Sequence, residues 1–341
     1  MGIEEMDSFL FILMCIVFIV INGNVQAFIH EGGHYIFGKL TGYKFVSFRV
    51  GTYMWFRKNG EMLCTRASLS GTGGQCLMAP PDLKDGTMPF KLYNLGGALL
   101  NLISALAYIP VWMATKGDIY LNIFGLCFMA TGVVYAASNG FPSRNKEIDN
   151  DGSNTKSMID NKRAVRSFWM QLKVSESSLN GVRIKDLPEE WFFIPEDEEL
   201  KNTLISSMAF FYKDRLMDQH KFKEAGEWID HILSIEDNGI LPIYKKMLIM
   251  DRVYIELLGN QNEKIINSFH TKEMVAFRYQ MKKYPPMLRT EYAFNAVSKR
   301  NNEKADAYLK EFNEWISIYP YEGEAIKEKE LVEAVKIATE Q

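Results

Sequence analysis

Residues 30–34 read His30-Glu31-Gly32-Gly33-His34 and stand at the end of a long apolar segment. In a helix, residues four apart share a face, so both imidazoles can bind one metal ion. The glutamate between them is then held beside the metal, where it can take a proton from a bound water. This is the H-E-x-x-H arrangement of zinc hydrolases, here in a hydrophobic setting.

The apolar segment before this motif predicts a first membrane helix. Residues 9–21 are apolar without interruption, and helical apolar spacing resumes at Ala27 after the polar Asn22-Gly23-Asn24. A helix over about 8–40 would be about 48 Å long, which exceeds a hydrocarbon core of about 30 Å. The helix therefore either protrudes from the membrane or kinks near Asn22, and in both cases the motif lies near an interface.

Two more segments have the length of a membrane span. Residues 95–113 and 119–137 are mostly apolar, and the short connection 114–118 suits a helical hairpin. Two buried helices of a soluble protein are the alternative. The chain as a whole is 24% charged with a net charge of −3, and nearly all its long apolar runs precede residue 140. No basic stripe indicates nucleic-acid binding.

The segment between the first two spans changes to a strand pattern. Val46, Phe48 and Val50 alternate with polar residues, which predicts a strand over 43–50. Asn59-Gly60 separates two further apolar runs and predicts a β-hairpin. The strand at 43–50 either receives an extended peptide by edge pairing or is purely structural.

A polar linker at 139–158 separates this half from a charged, helix-patterned half. The sequence thus predicts a mainly α protein: a membrane-embedded three-helix domain at 1–157 with a small β-hairpin region, and a cytosolic helical domain at 158–341. Tetratricopeptide-like helix pairs and an irregular bundle both remain open for the second domain. Its predicted helices cover about 158–173, 197–217, 221–234, 241–258, 263–283, 287–299, 303–317 and 324–338.

Lysines and arginines predict the orientation of the chain in the cell membrane. By the positive-inside rule, the segment between the first and second spans, the C-terminal half and the His30–His34 end of the first helix face the cytoplasm. This rests on a concentration of basic residues after the first span, namely Lys39, Lys44, Arg49, Arg57, Lys58, Arg66, Lys84 and Lys91, and on more after the last span.

Zinc needs a third protein ligand that leaves a fourth position open for water. No other histidine lies in the membrane half, and the four cysteines form no C-x-x-C pair, so a carboxylate must serve. The residues alone leave four candidates open after the last span: Glu147, Asp149, Asp151 and Asp160.

The N-terminal 165 residues resemble the site-2 protease family of intramembrane zinc metalloproteases. That family combines H-E-x-x-H with a later N-x-x-P…D-G motif, which here reads Asn139-Gly140-Phe141-Pro142 and Asp151-Gly152. It also has a G-x-x-x-N pattern on its second helix, here Gly97 to Asn101. The stretches 40–49 and 71–76 look like those of a branch from Gram-positive bacteria.

The resemblance implies a set of functional residues. His30, His34 and Asp151 would bind Zn²⁺, Glu31 would be the general base, and Asn101 would help to hold the substrate backbone. Two positions depart from the family pattern: Gly32 stands where a bulky residue is usual, and Ala98 where proline is common. The gap between Pro142 and Asp151 is also longer than in many members.

The function so implied is hydrolysis of peptide bonds in transmembrane or signal-peptide-like substrates. A second hypothesis is a proteolytically inactive membrane relative that binds zinc and a membrane peptide. In that case the helical domain would be a protein-interaction module with its own protein partner. A soluble zinc hydrolase is a third alternative, which predicts extraction without detergent.

Overall fold

In the computed structural model, which describes residues 8–58, 60–66, 73–143 and 149–340, the chain is mainly helical with a small antiparallel β region. It folds into two compact units. Among the described residues, the first unit holds 8–51, 73–143 and 149–160. The second holds 52–58, 60–66 and 161–340.

Three helical segments of the first unit are long and apolar enough to cross a membrane. They are α1 (Ser8–Leu40), the pair α2 (Phe90–Ala107) and α3 (Ile109–Thr115), and α4 (Ile119–Gly140). The three predicted membrane-length helices are therefore present, although the second is interrupted at Tyr108, just before Pro110. Proline lacks the amide hydrogen that a continuous helix would use there.

Helix α1 is one continuous helix that includes the polar stretch at Asn22. Its buried residues are all polar or glycine, whereas its large apolar residues are mostly exposed: Asn22 is 0% exposed and Phe9 is 70% exposed. This distribution is the reverse of that in a helix of a water-soluble protein. Of the polar residues that look like a break in the sequence, Asn22 thus lies on the inward face of the helix, whereas Asn24 is exposed.

Four short strands lie between α1 and α2: β1 (Lys44–Val50), β2 (Tyr53–Lys58), β3 (Glu61–Arg66) and β4 (Gly74–Ala79). The predicted strand and the predicted hairpin are both confirmed, although Asn59 of the turn lies outside the described residues. In the first unit, β1 pairs antiparallel with β4. In the second unit, β2 pairs antiparallel with β3. The hairpin, which the sequence counts with domain 1–157, therefore belongs to the second unit.

The predicted linker at 139–158 is partly wrong. Helix α4 continues to Gly140, and the short helix α5 (Asp151–Met158) begins at the predicted metal ligand. Asn150 caps α5, since its side-chain oxygen accepts a hydrogen bond from the Ser153 amide. The polar composition that suggests a linker therefore reflects a helix cap and a short, partly buried polar helix.

The second unit contains the remaining helices and one extensive apolar core. Most predicted helices are present with shifted ends, while the one predicted over 263–283 is broken into α10, a 3₁₀ turn and α11. Consecutive helices pack in pairs, among them α12 with α13. The helices are α6 (Lys162–Leu179), α7 (Thr203–Asp218), α8 (Phe222–Ser234), α9 (Pro242–Leu258), α10 (Glu263–Asn267), α11 (Lys272–Gln280), α12 (Pro285–Ala293), α13 (Asn302–Ser317) and α14 (Glu322–Glu340).

Glycines bring α1 and α2 together at the level of the motif. A Cβ on Gly33 would lie 2.2 Å from the Gly96 carbonyl oxygen, and a Cβ on Gly96 would lie 2.7 Å from the Gly33 oxygen. Neither position has room for a side chain, so the two backbones touch there. At Gly32, by contrast, the nearest atom to an added Cβ is a Leu100 methyl at 3.9 Å, which is ordinary contact.

This difference predicts opposite effects for two neighbouring substitutions. Gly33→Ala must push α1 and α2 apart and should cost about 1–3 kcal/mol or more, as overpacking does. Gly32→Ala should be neutral or stabilising by up to about 1 kcal/mol, because alanine favours the helix. Thermal unfolding of both variants in detergent measures this, and equal destabilisation would contradict the contact between Gly33 and Gly96.

Candidate functional site

Helix α2 supports both histidines of α1 from residues spaced four apart. The His34 Nδ1 atom donates a hydrogen bond to the Tyr93 carbonyl oxygen at 2.8 Å. The His30 ring lies over Gly97, where an added Cβ would come within 2.5 Å of the imidazole. One turn further on, the Asn101 Oδ1 atom lies 2.8 Å from His30 Nδ1. Each imidazole is therefore held by its Nδ1 atom.

The hydrogen bonds of Asn101 determine which His30 nitrogen carries the hydrogen. The Asn101 Nδ2 atom donates to the Gln26 backbone carbonyl at 2.8 Å and to the Gln26 side-chain oxygen at 2.7 Å. A backbone carbonyl only accepts, so the amide orientation is fixed and Oδ1 must accept from His30 Nδ1. The Tyr93 carbonyl fixes His34 in the same way. Both Nε2 lone pairs are thus oriented as they are in histidines that bind a metal.

The start of α5 places Asp151 against these two imidazoles. The Asn150 Nδ2 atom donates to the carbonyl oxygens of Ser138 and Phe141, both at 2.7 Å, which ties α5 to the end of α4. A Cβ on Gly152 would lie 2.5 Å from the Gly140 carbonyl oxygen, so only glycine fits next to Asp151. Packing therefore explains the glycine of the Asp151-Gly152 pair, and the contact with the two histidines explains the aspartate.

Three ligand atoms converge in a triangle. The two Nε2 atoms are 3.1 Å apart, and the Asp151 Oδ2 atom lies 3.1 Å from His30 Nε2 and 3.4 Å from His34 Nε2. Bonds of about 2.0–2.1 Å to one tetrahedral ion would place such atoms about 3.3–3.4 Å apart. In the part of the chain that the structure describes, no other set of three such side chains converges in this way.

A carboxylate that binds a metal must be ionised, and the surroundings of Asp151 favour that form. Burial alone would raise the pKa of its carboxyl, but the neighbouring His34 and His30 more than offset burial, so the pKa lies below its ordinary value. Two imidazole nitrogens and one carboxylate oxygen form a donor set that suits zinc, with a fourth tetrahedral position left for water or substrate. The residues present therefore fit a zinc ion.

Glu31 is buried and faces strand β4. A Cβ on Gly74 would lie 2.6 Å from Glu31 Oε1, and the Cys76 backbone amide interacts with the Glu31 carboxylate. Strand β4 pairs with β1 from Lys44 to Val50, so this edge of β1 is already occupied. Of the two roles left open for the strand at 43–50, peptide binding by edge pairing is therefore excluded for the edge that β4 covers.

The structure brings His30, His34 and Asp151 together, with Glu31 adjacent on α1. Asp149 and Asp160 do not join the cluster, and Glu147 lies outside the described residues. The side chain of Asn101 forms hydrogen bonds with His30 and Gln26, and these bonds link α2 to α1. A contact of Asn101 with substrate stays a prediction. Sequence reasoning missed the supporting residues Gln26, Tyr93 and Asn150, and it included Gly97 only as part of the G-x-x-x-N pattern. The available signal was the spacing of four, from Gln26 to His30 on α1 and along Tyr93, Gly97 and Asn101 on α2.

Comparisons of the chain with models of protein families, with curated proteins and with solved structures find no match.

The hydrogen bond from His30 to Asn101 predicts a measurable effect on metal affinity. Asn101→Leu removes the acceptor for His30 Nδ1 and should weaken zinc binding about 10–100-fold, the usual cost of losing such a supporting partner. Asn122→Leu is the matched control, because Asn122 accepts its hydrogen bond from Trp112, a residue of α3 outside the cluster. Competition with a chelator measures both affinities, and equal affinities would contradict the role of Asn101.

Proposed function

We propose that the chain is an intramembrane zinc metalloprotease of the site-2 protease type. One observation carries the proposal: two imidazole nitrogens and the Asp151 oxygen lie within 3.1–3.4 Å of one another, close to the edge lengths of a zinc tetrahedron, beside Glu31. Helix α1, which is long enough to span a membrane, supplies both histidines, and its buried residues are all polar or glycine. Ionisable groups in such a setting are energetically costly, and where they occur they usually mark a functional site.

His30, His34 and Asp151 would hold the zinc ion. When bound, zinc lowers the pKa of a coordinated water towards 7 and polarises the carbonyl of the scissile bond. The chain's own residues do the rest of the work. Tyr93 and Asn101 keep both histidines in the tautomer that binds metal, and the hydrogen bonds of Asn150 keep Asp151 in place.

Glu31 is the general base of the proposed reaction. It takes a proton from the attacking water and returns one to the leaving amine of the cleaved peptide. The carboxylate is buried between α1 and β4, which keeps it from bulk water and close to the cluster. Hydrolysis then needs no other titratable side chain.

The proposed substrate is a transmembrane or signal-peptide-like helix that unwinds locally, because a helical peptide bond is shielded from attack. The site lies near the end of α1, and the basic residues after that helix favour a cytoplasmic location for this end. An unwound segment reaches Glu31 along the Gly74 end of β4. We assign the C-terminal helical unit to the cytoplasm, as a surface for a protein partner.

Replacing the base separates metal binding from catalysis. Glu31→Gln should keep zinc at wild-type stoichiometry, since Glu31 is not a ligand, and should lose cleavage by at least about 100-fold, the lower range for a general base. Zinc content and cleavage of a library of single-span membrane reporters are measured on the same preparations. A Glu31→Gln protein that cleaves at the wild-type rate would contradict the assignment of Glu31 as the general base.

Two further proteins complete this experiment. Glu61→Gln makes the same chemical change on an exposed carboxylate of β3 and should leave both readouts unchanged. His34→Ala should lose zinc and cleavage together. A wild-type protein that binds zinc but cleaves no reporter would favour the inactive, peptide-binding alternative over the protease.

A further inference from the structure

The β2–β3 hairpin has two chemically different faces. Directly paired residues share a face, and one face is formed by the pairs Tyr53 with Arg66, Trp55 with Cys64 and Arg57 with Met62. All six residues are exposed; the exposed fraction is 48% for Tyr53, 40% for Trp55 and 56% for Met62. We call this set of six residues the aromatic–basic face.

The opposite face of the hairpin contacts the helices of the second unit. Met54 and Phe56, which lie on this opposite face, are buried. The Lys58 Nζ atom lies 2.6 Å from a Glu322 carboxylate oxygen, and the Thr65 hydroxyl donates to the Ile318 carbonyl oxygen at 3.0 Å. The hairpin is therefore fixed to the second unit by one face while the aromatic–basic face has no protein cover in the described chain.

The composition of the uncovered face matches the surface of a membrane. Tryptophan and tyrosine favour the interface between lipid and water, where the ring is apolar and its polar atom stays hydrated. Arg57 and Arg66 add positive charge, and none of the six residues is acidic. A basic, aromatic surface is complementary to anionic lipid headgroups, which attract each arginine by about 1 kcal/mol.

Chain connectivity keeps this face near the membrane. Tyr53 follows the end of α1 by thirteen residues, which span at most about 45 Å even when extended. After β3 and β4 the chain enters α2, so membrane-length helices stand on both sides of the hairpin in sequence. A hairpin so tethered samples the lipid surface at high effective concentration.

We infer that the aromatic–basic face docks on anionic phospholipid and thereby anchors the C-terminal helical unit to the membrane surface. The inference rests on the membrane placement in the proposed function, but not on zinc or on hydrolysis. The occupant of the face is a lipid surface with negatively charged headgroups. A second copy of the chain or another protein on this face is an outcome that the test distinguishes.

Cys64 is a natural reporter at the centre of the face. It is exposed, whereas Cys15, Cys76 and Cys127 are partly or fully buried. The experiment measures the rate at which a charged maleimide modifies Cys64 in the unaltered full-length protein, by peptide mass spectrometry. The protein is compared in detergent, in phosphatidylcholine nanodiscs and in nanodiscs that also contain phosphatidylglycerol.

We expect fast modification in detergent and modification about 30-fold slower with phosphatidylglycerol than with phosphatidylcholine alone, which is two charges at about 1 kcal/mol each. High salt should reduce this difference. The double variant Arg57→Gln, Arg66→Gln should abolish it, while Arg300→Gln, an exposed arginine of the same unit, should not.

The matched control places the thiol on the other face of the same strand. In the variant Leu63→Cys, Cys64→Ser the thiol replaces a side chain that is 41% exposed, and its modification should not depend on the lipid. Equal protection of residues 63 and 64 overturns the inference, and so does a modification rate of Cys64 that does not depend on lipid charge. Slow modification of Cys64 already in detergent also overturns it, because protein then covers the face. Incorporation into nanodiscs is scored separately, so failure of the membrane placement itself is recognised.

Discussion

The close approach of α1 and α2 at Gly33 and Gly96 is the constraint on which the candidate site depends. The two backbones touch because neither residue carries a side chain. Only at this separation can His34 reach the Tyr93 carbonyl, and only with glycine at position 97 can the His30 ring lie against α2. Small residues at helix contacts serve the same purpose in membrane proteins generally.

A polar stripe continues from the site along α1 towards its start. The Gln26 Nε2 atom donates to the Phe128 carbonyl oxygen of α4, and the Asn22 Nδ2 atom donates to the Phe124 carbonyl oxygen, both at 3.3 Å. Hydrogen bonds thus run from the α4 backbone through Gln26 and Asn101 to His30. The same contacts hold three helices together and fix the tautomer of His30, so helix packing and the geometry of the site depend on each other.

Helix α5 completes the site from the other side. Its N-cap, Asn150, is bonded to the end of α4, and Gly152 lets its first turn touch the Gly140 carbonyl. Asp151 is the first residue of that helix, at the end where helix geometry favours a negative charge. A carboxylate 117 residues after His34 in the sequence thereby becomes its neighbour in space.

Local patterns in the sequence were enough for elements whose cause is local. Apolar length predicted the three membrane-length helices, alternation predicted β1, and the Asn59-Gly60 signal predicted the β2–β3 hairpin. His30 and His34 follow from the helical spacing of four. Their tautomers do not, because Tyr93 and Asn101 lie on another helix.

Long-range contacts explain which features of the structure local sequence patterns left open or predicted wrongly. Spacing alone did not distinguish Asp151 from three other carboxylates; the resemblance to site-2 proteases did. Asn22 looked like a break in α1 because its partner, the Phe124 carbonyl, lies 102 residues away. The β2–β3 hairpin belongs to the second unit and contacts Glu322 and Ile318, which lie more than 250 residues away in the sequence. No local sequence pattern reveals these contacts.

The central claim is a zinc ion held by two histidines of α1 and the first residue of α5. X-ray absorption at the zinc edge, on the full-length protein in detergent, tests it most directly. We predict about one zinc per chain with nitrogen and oxygen neighbours at about 2.0–2.1 Å, histidine outer-shell scattering and no sulfur. Absence of stoichiometric zinc, or sulfur neighbours at about 2.3 Å, would contradict the site.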